Sequence, residues 1–156
     1  MNHIHIVEWD EKNHSSFINL SIEWLEKYVS VEEADLKMLN DPQGQILDNG
    51  GTIFFAISES EAVGTAAMIK LDDTTFELAK LAVKEEFKGR KIGNQLMDAC
   101  IHYAKAHSAN KIILFTNHKL VPAIHLYEKY GFHQVLLANN KYIEADIKME
   151  LILTQQ

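Results

Sequence analysis

The sequence predicts a single α/β domain, residues 1–156, with a mixed, mostly antiparallel sheet of about six to seven strands and about four helices. Three short apolar segments follow one another with connections of only a few residues, which is typical of an antiparallel meander. These segments are residues 52–58, 62–70 and 75–83. A helix over about residues 91–107 then leads to the apolar run at 111–116, and such a strand–helix–strand unit makes its two strands parallel.

The other elements follow from hydrophobic spacing and from residues that end helices. Alternation of Ile4 and Ile6, with Val7 beside them, predicts a first strand. Apolar residues at helical spacing predict an amphipathic helix over about residues 13–29. Pro122 is expected to begin a helix that Gly131 ends, since proline suits a first turn and glycine a left-handed cap. The remaining predicted elements are a helix at 31–39 and strands at 132–137 and 143–153.

Composition excludes several classes of protein. Hydrophobic residues make up 47% of the chain and charged residues 24%, values of a globular domain rather than a disordered chain. The net charge of −7 argues against a general nucleic-acid-binding surface. The single cysteine, Cys100, excludes an internal disulfide, and no metal is expected because His3 and His5 have no third ligand nearby. Without a signal-peptide pattern or a long apolar run, we expect a cytoplasmic protein with no membrane partner.

The charge is distributed unevenly along the chain. Residues 1–61 hold 12 acidic and 3 basic side chains, a balance of −9, whereas residues 62–156 balance at +2. The basic side chains of the second part include a cluster just after the strand that ends at Val83. An anionic ligand is therefore expected there, and a cationic one is expected on the acidic side.

The basic cluster lies in a segment that we call the phosphate loop, residues 84–94. Gly89 and Gly93 flank a predicted helix start, where small residues let backbone N–H groups approach a phosphate closely. The helix dipole and the charges of Lys88, Arg90 and Lys91 add to the attraction. The residues alone therefore indicate a pyrophosphate site without identifying its ligand.

Two motifs resemble those of the GCN5-related N-acetyltransferase (GNAT) superfamily. The cofactor-loop pattern Gln/Arg-x-x-Gly-x-Gly/Ala falls on residues 88–93, with Lys88 and Lys91 at departing positions and Gly93 retained. We expect ordinary helical geometry at Lys91. The second signature, Asn-x…-Ala-x-x-Leu-Tyr-x-x-x-Gly-Phe, is similar to the run from Asn117 to Phe132. The resemblance covers residues 52–137 well, and 1–51 in outline.

The resemblance implies an acetyl-CoA-dependent acyltransferase with a splayed parallel strand pair. The acetyl group would pass from acetyl-CoA to a primary amine by direct attack in a ternary complex. Backbone groups at the splayed strand end would pair with the pantetheine arm, and the phosphate loop would hold the pyrophosphate. Tyr127 would protonate the leaving thiolate, and its alternative role is to pack under the cofactor. The implied cofactor-binding residues are Leu81, Ala82, Val83, Lys88, Gly89, Arg90, Lys91, Ile92, Gly93, Asn94, Asn117 and Tyr127.

Glu77 is the candidate general base because family members often carry a glutamate on this strand, and the alternative is a solvated or paired glutamate on a strand face. By a period of two, Glu77 is expected to share a face with Ala79, Leu81 and Val83, and Lys80 to point to the opposite face. The family's acceptor side is commonly walled by the N-terminal helices. Glu23, Trp24 and Tyr28 are therefore candidate substrate contacts.

The acidic N-terminal helices favour a cationic acceptor, either a small-molecule amine or a peptide amine, and the alternative is that their carboxylates form a solvated helix face. A homodimer is a further expectation, since dimers are common in the superfamily. Two other hypotheses stay open at this stage. One is a non-catalytic acyl-CoA-binding sensor or interaction module on the same fold, and the other is a nucleotide-phosphate-binding protein of another fold.

Overall fold

A computed structural model describes residues 3–138 and 140–153. These residues form one sheet of seven strands in the order β1-β2-β3-β4-β5-β7-β6, with four α-helices. The strands are β1 (Ile4–Glu8), β2 (Thr52–Ser58), β3 (Glu61–Lys70), β4 (Thr75–Val83), β5 (Lys111–Thr116), β6 (His133–Val135) and β7 (Ile147–Ile152). The helices are α1 (His14–Tyr28), α2 (Glu33–Asn40), α3 (Ile92–Ala106) and α4 (Val121–Lys129). The predicted mixed, mostly antiparallel fold is confirmed.

In the centre of the sheet, the strands pair as the sequence indicates. Strands β2, β3 and β4 form the antiparallel meander, and β4 and β5 are the parallel pair joined through α3. Strand β5 is buried along most of its length, in line with its nearly continuous apolar sequence. The strand–helix–strand unit therefore brings the ends of β4 and β5, and the start of α3, to one edge of the molecule.

Two hydrophobic clusters cover the two faces of the sheet. The larger contains Met68, Phe76 and Leu96 and includes the buried side of α3, where Cys100 is only 1% exposed, as the apolar stripe predicted. The smaller contains Phe17, Leu39 and Phe55 and joins α1 and α2 to the other face. The two helical layers thus hold β4 between them and leave its C-terminal end for the site.

The predicted last strand, 143–153, is too long at its N-terminal end. Strand β7 begins at Ile147, and residues 140–146 cross over the end of the sheet as an irregular segment that we call the cover loop. The backbone N–H groups of Ile143 and Glu144 donate to the Glu32 carboxylate, at 2.7 and 2.9 Å, instead of to a strand. This tertiary anchor is the physical reason for the difference. Strand β6 is likewise shorter than predicted.

Within the described residues, no helix has both the length and the apolar character needed to cross a membrane.

Candidate active site

The candidate site is the cleft where β4 and β5 separate. The two strands pair over only three positions, and the last of these joins Glu77 to Ile113. Both strands continue beyond that point, to Val83 and Thr116, without further pairing to each other among the described residues. A cavity of about 120 Å³ opens between them, and we call it the β4–β5 cavity. The separation leaves one backbone edge of β4 without a strand partner.

A bulge in β4 reverses the sides on which its last residues lie. Lys80 has a φ of 57°, and the register with β3 shifts opposite it. Leu81 and Val83 therefore pack with the α3 face, while Ala79 packs on the other. Lys80 lines the same cavity as Glu77. The expectations that Glu77 shares a face with Leu81 and Val83, and that Lys80 points away, are wrong because one extra residue changes the parity of the strand.

Glu77 lies inside the β4–β5 cavity with its carboxylate almost fully buried, at 2% exposure. Lys141 Nζ is 3.0 Å from Oε1, and the Tyr142 hydroxyl donates to Oε2 at 3.2 Å. Both partners belong to the cover loop. Burial and the neighbouring Glu77 charge raise the pKa of Tyr142, which therefore remains a neutral donor to this carboxylate.

Tyr127 lies on α4 and reaches the same cavity from the side of β5. Its ring packs against Phe132, with 6.0 Å between ring centroids. The hydroxyl has no hydrogen-bond partner among residues 3–138 and 140–153. Burial raises the pKa of Tyr127 to about 12. The phenol therefore keeps its proton at neutral pH and can donate it.

The phosphate loop leads from β4 into α3. Gly89 has a φ of 81°, and no atom lies within 4 Å of the position that a Cβ would occupy. Lys91 is the N-cap of α3 and has φ 61° and ψ 24°, in the left-handed region. The expectation of ordinary helical geometry at Lys91 is wrong. At the position where the family's pattern has glycine, which adopts the left-handed conformation without steric cost, this chain adopts it with a lysine.

Charged residues of the phosphate loop contact the end of α1. The Tyr28 hydroxyl donates to Glu85 Oε1 at 2.6 Å, and Lys88 Nζ donates to the Tyr28 hydroxyl and lies 3.0 Å from the same carboxylate. The hydrogen bond from Tyr28, with that from Lys88, lowers the pKa of Glu85 to about 2. Arg90 and Lys91 are exposed, and the Arg90 guanidinium stacks over the Phe87 ring at 4.9 Å. Free positive charge is therefore concentrated at Arg90 and Lys91.

The cover loop is attached on both sides of the β4–β5 cavity. Glu32, at the N-terminus of α2, holds the two backbone N–H groups described above. On the opposite side, Asn117 Nδ2 donates to the Glu144 carbonyl at 2.6 Å, and Asp146 accepts from the His118 backbone N–H at 2.9 Å. Asn117, an implied cofactor-binding residue, has its amide engaged in fixing this loop.

A buried ion pair lies beside these groups. Lys80 contacts Asp35, and the two side chains are 6% and 4% exposed. Asp35 also accepts the Glu32 backbone N–H at 2.9 Å, which completes the cap of α2. Of the candidate acceptor residues, Trp24 lines the cavity, whereas Glu23 is exposed and absent from the lining and Tyr28 turns to the phosphate loop.

Sequence reasoning missed several residues of this site. Lys141 and Tyr142 come from a segment with no motif, and no pattern in the sequence links them to Glu77. A signal for Lys80 did exist, because Glu77 and Lys80 are the only charged residues of strand β4, and a buried lysine requires a charged partner. Across the described ranges, no group of three His, Cys, Asp or Glu side chains is arranged to hold a metal ion.

Several known proteins are similar to this chain. An uncharacterized N-acetyltransferase of Bacillus subtilis, YvbK, is 32% identical over 101 residues, which are 63% of this chain and 65% of that protein. The N-acetylaspartate synthetase of Danio rerio is 31% identical over 87 residues, 55% of this chain and 31% of the synthetase. The chain thus spans less than two thirds of the length of these relatives.

Solved structures share the fold over almost the whole chain. A GNAT acetyltransferase of Staphylococcus aureus has a TM-score of 0.89 at 24% identity, covering 97% of this chain and 100% of that one. YncA of Salmonella typhimurium, solved with acetyl-CoA, has a TM-score of 0.78 at 12% identity, covering 98% and 95%. This likeness excludes a nucleotide-binding protein of another fold.

The family model described as Acetyltransferase (GNAT) family matches residues 8–132. This range contains β4, the phosphate loop, α3, β5 and α4. On this match and on the splayed β4–β5 pair, the chain belongs to the GNAT acetyltransferase family.

Proposed function

We propose that this protein transfers the acetyl group of acetyl-CoA to a primary amine by direct attack within a ternary complex. The observation that carries the proposal is the β4–β5 cavity, which has Glu77 and Tyr127 in its wall and adjoins a free strand edge. An acid, a base and an unpaired row of backbone groups are the parts that acyl transfer to an amine requires.

The chain's own residues fit acetyl-CoA. The free backbone edge at residues 81–83 suits an extended pantetheine arm, which would add to β4 like a further strand. The N-terminus of α3, with Arg90 and Lys91 exposed beside it, suits the pyrophosphate. The open space around Gly89 leaves the loop backbone accessible to phosphate oxygens. When bound, acetyl-CoA supplies an acetyl group activated as a thioester.

Glu77 and Tyr127 divide the proton transfers between them. Glu77 accepts a proton from the ammonium of the acceptor, directly or through one water, and so produces the neutral amine that can attack. Tyr127 gives its proton to the departing sulfur. The high pKa of Tyr127 keeps this proton in place until the thiolate forms. Backbone N–H groups at Ala82 or Val83 would stabilise the oxyanion.

The charges around the cavity favour a cationic acceptor. Its wall holds four carboxylates, of which Asp35 is paired with Lys80 and Glu77 with Lys141. The carboxylates of Glu32 and Glu144 have no such cation among these groups and leave the wall negative. Trp24, Phe115 and Tyr142 add aromatic surface suited to the alkyl part of an amine. An ammonium approaching this wall is attracted, and a dicarboxylate is not.

A screen of acetyl-CoA against amines, polyamines, amino acids and peptides, with detection of released thiol, tests the proposal. Glu77→Gln is expected to lower kcat about 100-fold, the lower end of the range for a positioned proton-transfer group. Tyr127→Phe is expected to lower kcat by a similar factor. Glu150→Gln is the control, because Glu150 lies on β7 and is paired with Lys111 outside the cavity.

The non-catalytic alternative has a distinct outcome in the same experiment. If the protein binds acetyl-CoA but acetylates none of the amines, and if neither Glu77→Gln nor Tyr127→Phe changes its affinity for acetyl-CoA, it is a binding module rather than an enzyme.

A further inference from the structure

We propose that Lys141 is itself an acetyl acceptor, so that the protein modifies its own cover loop within the same chain. The inference rests on the proposed function, because it uses the same site and the same proton transfers. It assigns a modification site to a residue that neither motif of the sequence contains.

The position of the lysine is the first argument. Lys141 Nζ lies 3.0 Å from Glu77 Oε1, which is the place of an acceptor ammonium next to its base. Tyr142 donates to the other oxygen of the same carboxylate at 3.2 Å and holds this end of the loop over the cavity. The primary amine of Lys141 is thus already beside the group that would deprotonate an external amine.

The attachment of the cover loop is the second argument. Its far end is held by the Glu32 carboxylate and by Asn117, whose amide nitrogen is 2.6 Å from the Glu144 carbonyl. An amine on an attached loop reacts as an intramolecular group, and its effective concentration far exceeds that of a dilute external amine. The Lys141 side chain is itself 41% exposed, so its flexible arm is free to move from Glu77 toward the acetyl group.

Other lysines lack one of these conditions. Lys80 lines the cavity, but its ammonium is buried against Asp35 and is not free to react. Lys111 is as exposed as Lys141, at 36%, and is 3.7 Å from Glu150, but it lies where β4 and β5 are still paired. Position beside Glu77, rather than exposure, therefore distinguishes Lys141.

The reaction balances without a further reactant. One proton of the Lys141 ammonium passes to Glu77 and then to solvent. The nitrogen forms a bond to the acetyl carbon as the carbon–sulfur bond breaks. Tyr127 protonates the thiolate and recovers a proton from the nitrogen. The products are an N-acetyl-lysine, a free thiol and one released proton.

Acetylation has a consequence for the site. A neutral amide cannot form the ion pair with Glu77, so the modified chain exposes its base to an external ammonium. Lys141→Gln, which also lacks the charge, is expected to lower KM for an amine acceptor severalfold relative to Lys141→Arg, which keeps it.

The test is mass spectrometry of the purified full chain after incubation with acetyl-CoA alone. Acetylation of Lys141 is expected to be at least about tenfold faster than that of Lys111, and about 100-fold slower in Glu77→Gln or Tyr127→Phe. Its rate per molecule should be the same at low and high protein concentration, because the transfer is intramolecular. Circular dichroism confirms that both variants are folded.

Three outcomes would overturn the inference. Equal rates at Lys141 and Lys111, or an unchanged Lys141 rate in both variants, would indicate chemical acetylation. A rate per molecule that rises with protein concentration would indicate transfer between chains. If external amines are acetylated while Lys141 stays unmodified, the inference fails and the proposed function stands. If neither is acetylated, both fail.

Discussion

The phosphate loop and the β4–β5 cavity both depend on charged side chains, but they present them in opposite ways. In the loop, Arg90 and Lys91 are exposed, adjacent in sequence and available to a ligand. In the cavity, Asp35, Glu77 and Lys80 are buried or nearly so and are paired with residues from other segments. The exposed charges of the loop come from one short segment, whereas the buried charges of the cavity are brought together by tertiary contacts.

The loop charges and the cavity charges also differ in what they contribute to the free energies of binding and of folding. An exposed charge in the loop is screened by water and salt, so its loss affects binding more than folding. A buried charge in the cavity has lost its hydration, so removal of its partner affects the stability of the whole domain. The following predictions test this difference, in order of decreasing effect.

The largest effect is expected from breaking the buried ion pair. Lys80→Met leaves the Asp35 carboxylate buried without its cation and is expected to lower the free energy of unfolding by about 3–5 kcal/mol. Lys84→Met is the matched control, because Lys84 is 3.0 Å from Glu61 in a pair whose side chains are 27% and 57% exposed, and about 0–1 kcal/mol is expected. Urea unfolding measures both values. Equal losses would contradict the contrast between cavity and loop.

The second effect is a difference in pH dependence. The pKa of Tyr127 is raised from 10.0 to about 12, so its stabilising contribution is complete below pH 10 and is lost as pH rises toward 12. Over this window, unfolding free energies should fall by about 2–3 kcal/mol more in the parent than in Tyr127→Phe. The Glu85 pKa of about 2 acts on the opposite side, since its contribution is present above pH 4.5 and lost as pH falls toward 2. Glu85→Gln should alter only this acid side.

The third effect concerns the exposed charge of the loop. Arg90→Ala is expected to weaken acetyl-CoA binding about tenfold at low salt, because it removes a charge-assisted contact. The difference should shrink as salt is added. Lys105→Ala, at the opposite end of α3, is the control and should leave binding unchanged. Calorimetry measures the dissociation constants, and equal weakening by both variants would contradict a local phosphate site.

The smallest effect is expected at Lys91. Its left-handed backbone is unfavourable for a side chain, so Lys91→Gly should remove strain and raise the free energy of unfolding by up to about 1 kcal/mol. The same change removes a cation, so acetyl-CoA binding should weaken slightly. Urea unfolding measures the change in stability, and calorimetry on the same preparation measures the change in acetyl-CoA affinity. A destabilised variant would show that lysine, and not glycine, is favoured at this N-cap.

Much of the fold could be predicted because its signals are local. The meander follows from three apolar strands with short connections, and the parallel pair follows from the helix between β4 and β5. The start of α3 and the end of α4 follow from glycines near their observed bounds, and the start of α4 follows from Pro122. Most of the family's motif residues lie within or beside these elements, and the phosphate-loop segment lies between β4 and α3, where the sequence predicts it.

The parts that could not be predicted depend on distant contacts. The bulge at Lys80 coincides with a register shift in the pairing with β3, and it reversed the expected sides of three β4 residues, Lys80, Leu81 and Val83. Residues 143–146 of the cover loop were predicted to be part of the last strand. They are not, because Glu32, more than a hundred residues away in sequence, binds the loop backbone. Neither event has a pattern of its own in the sequence.

By itself, therefore, the sequence determined the mixed sheet with its parallel β4–β5 pair and a basic segment between β4 and α3, because each depends on spacing over a few tens of residues. Only the tertiary structure decided which charges face the cavity, that Lys80 pairs with Asp35, and that Lys141 reaches Glu77. The physical reason is that a buried charge must find a partner in space, and the chain brings that partner from wherever the fold allows.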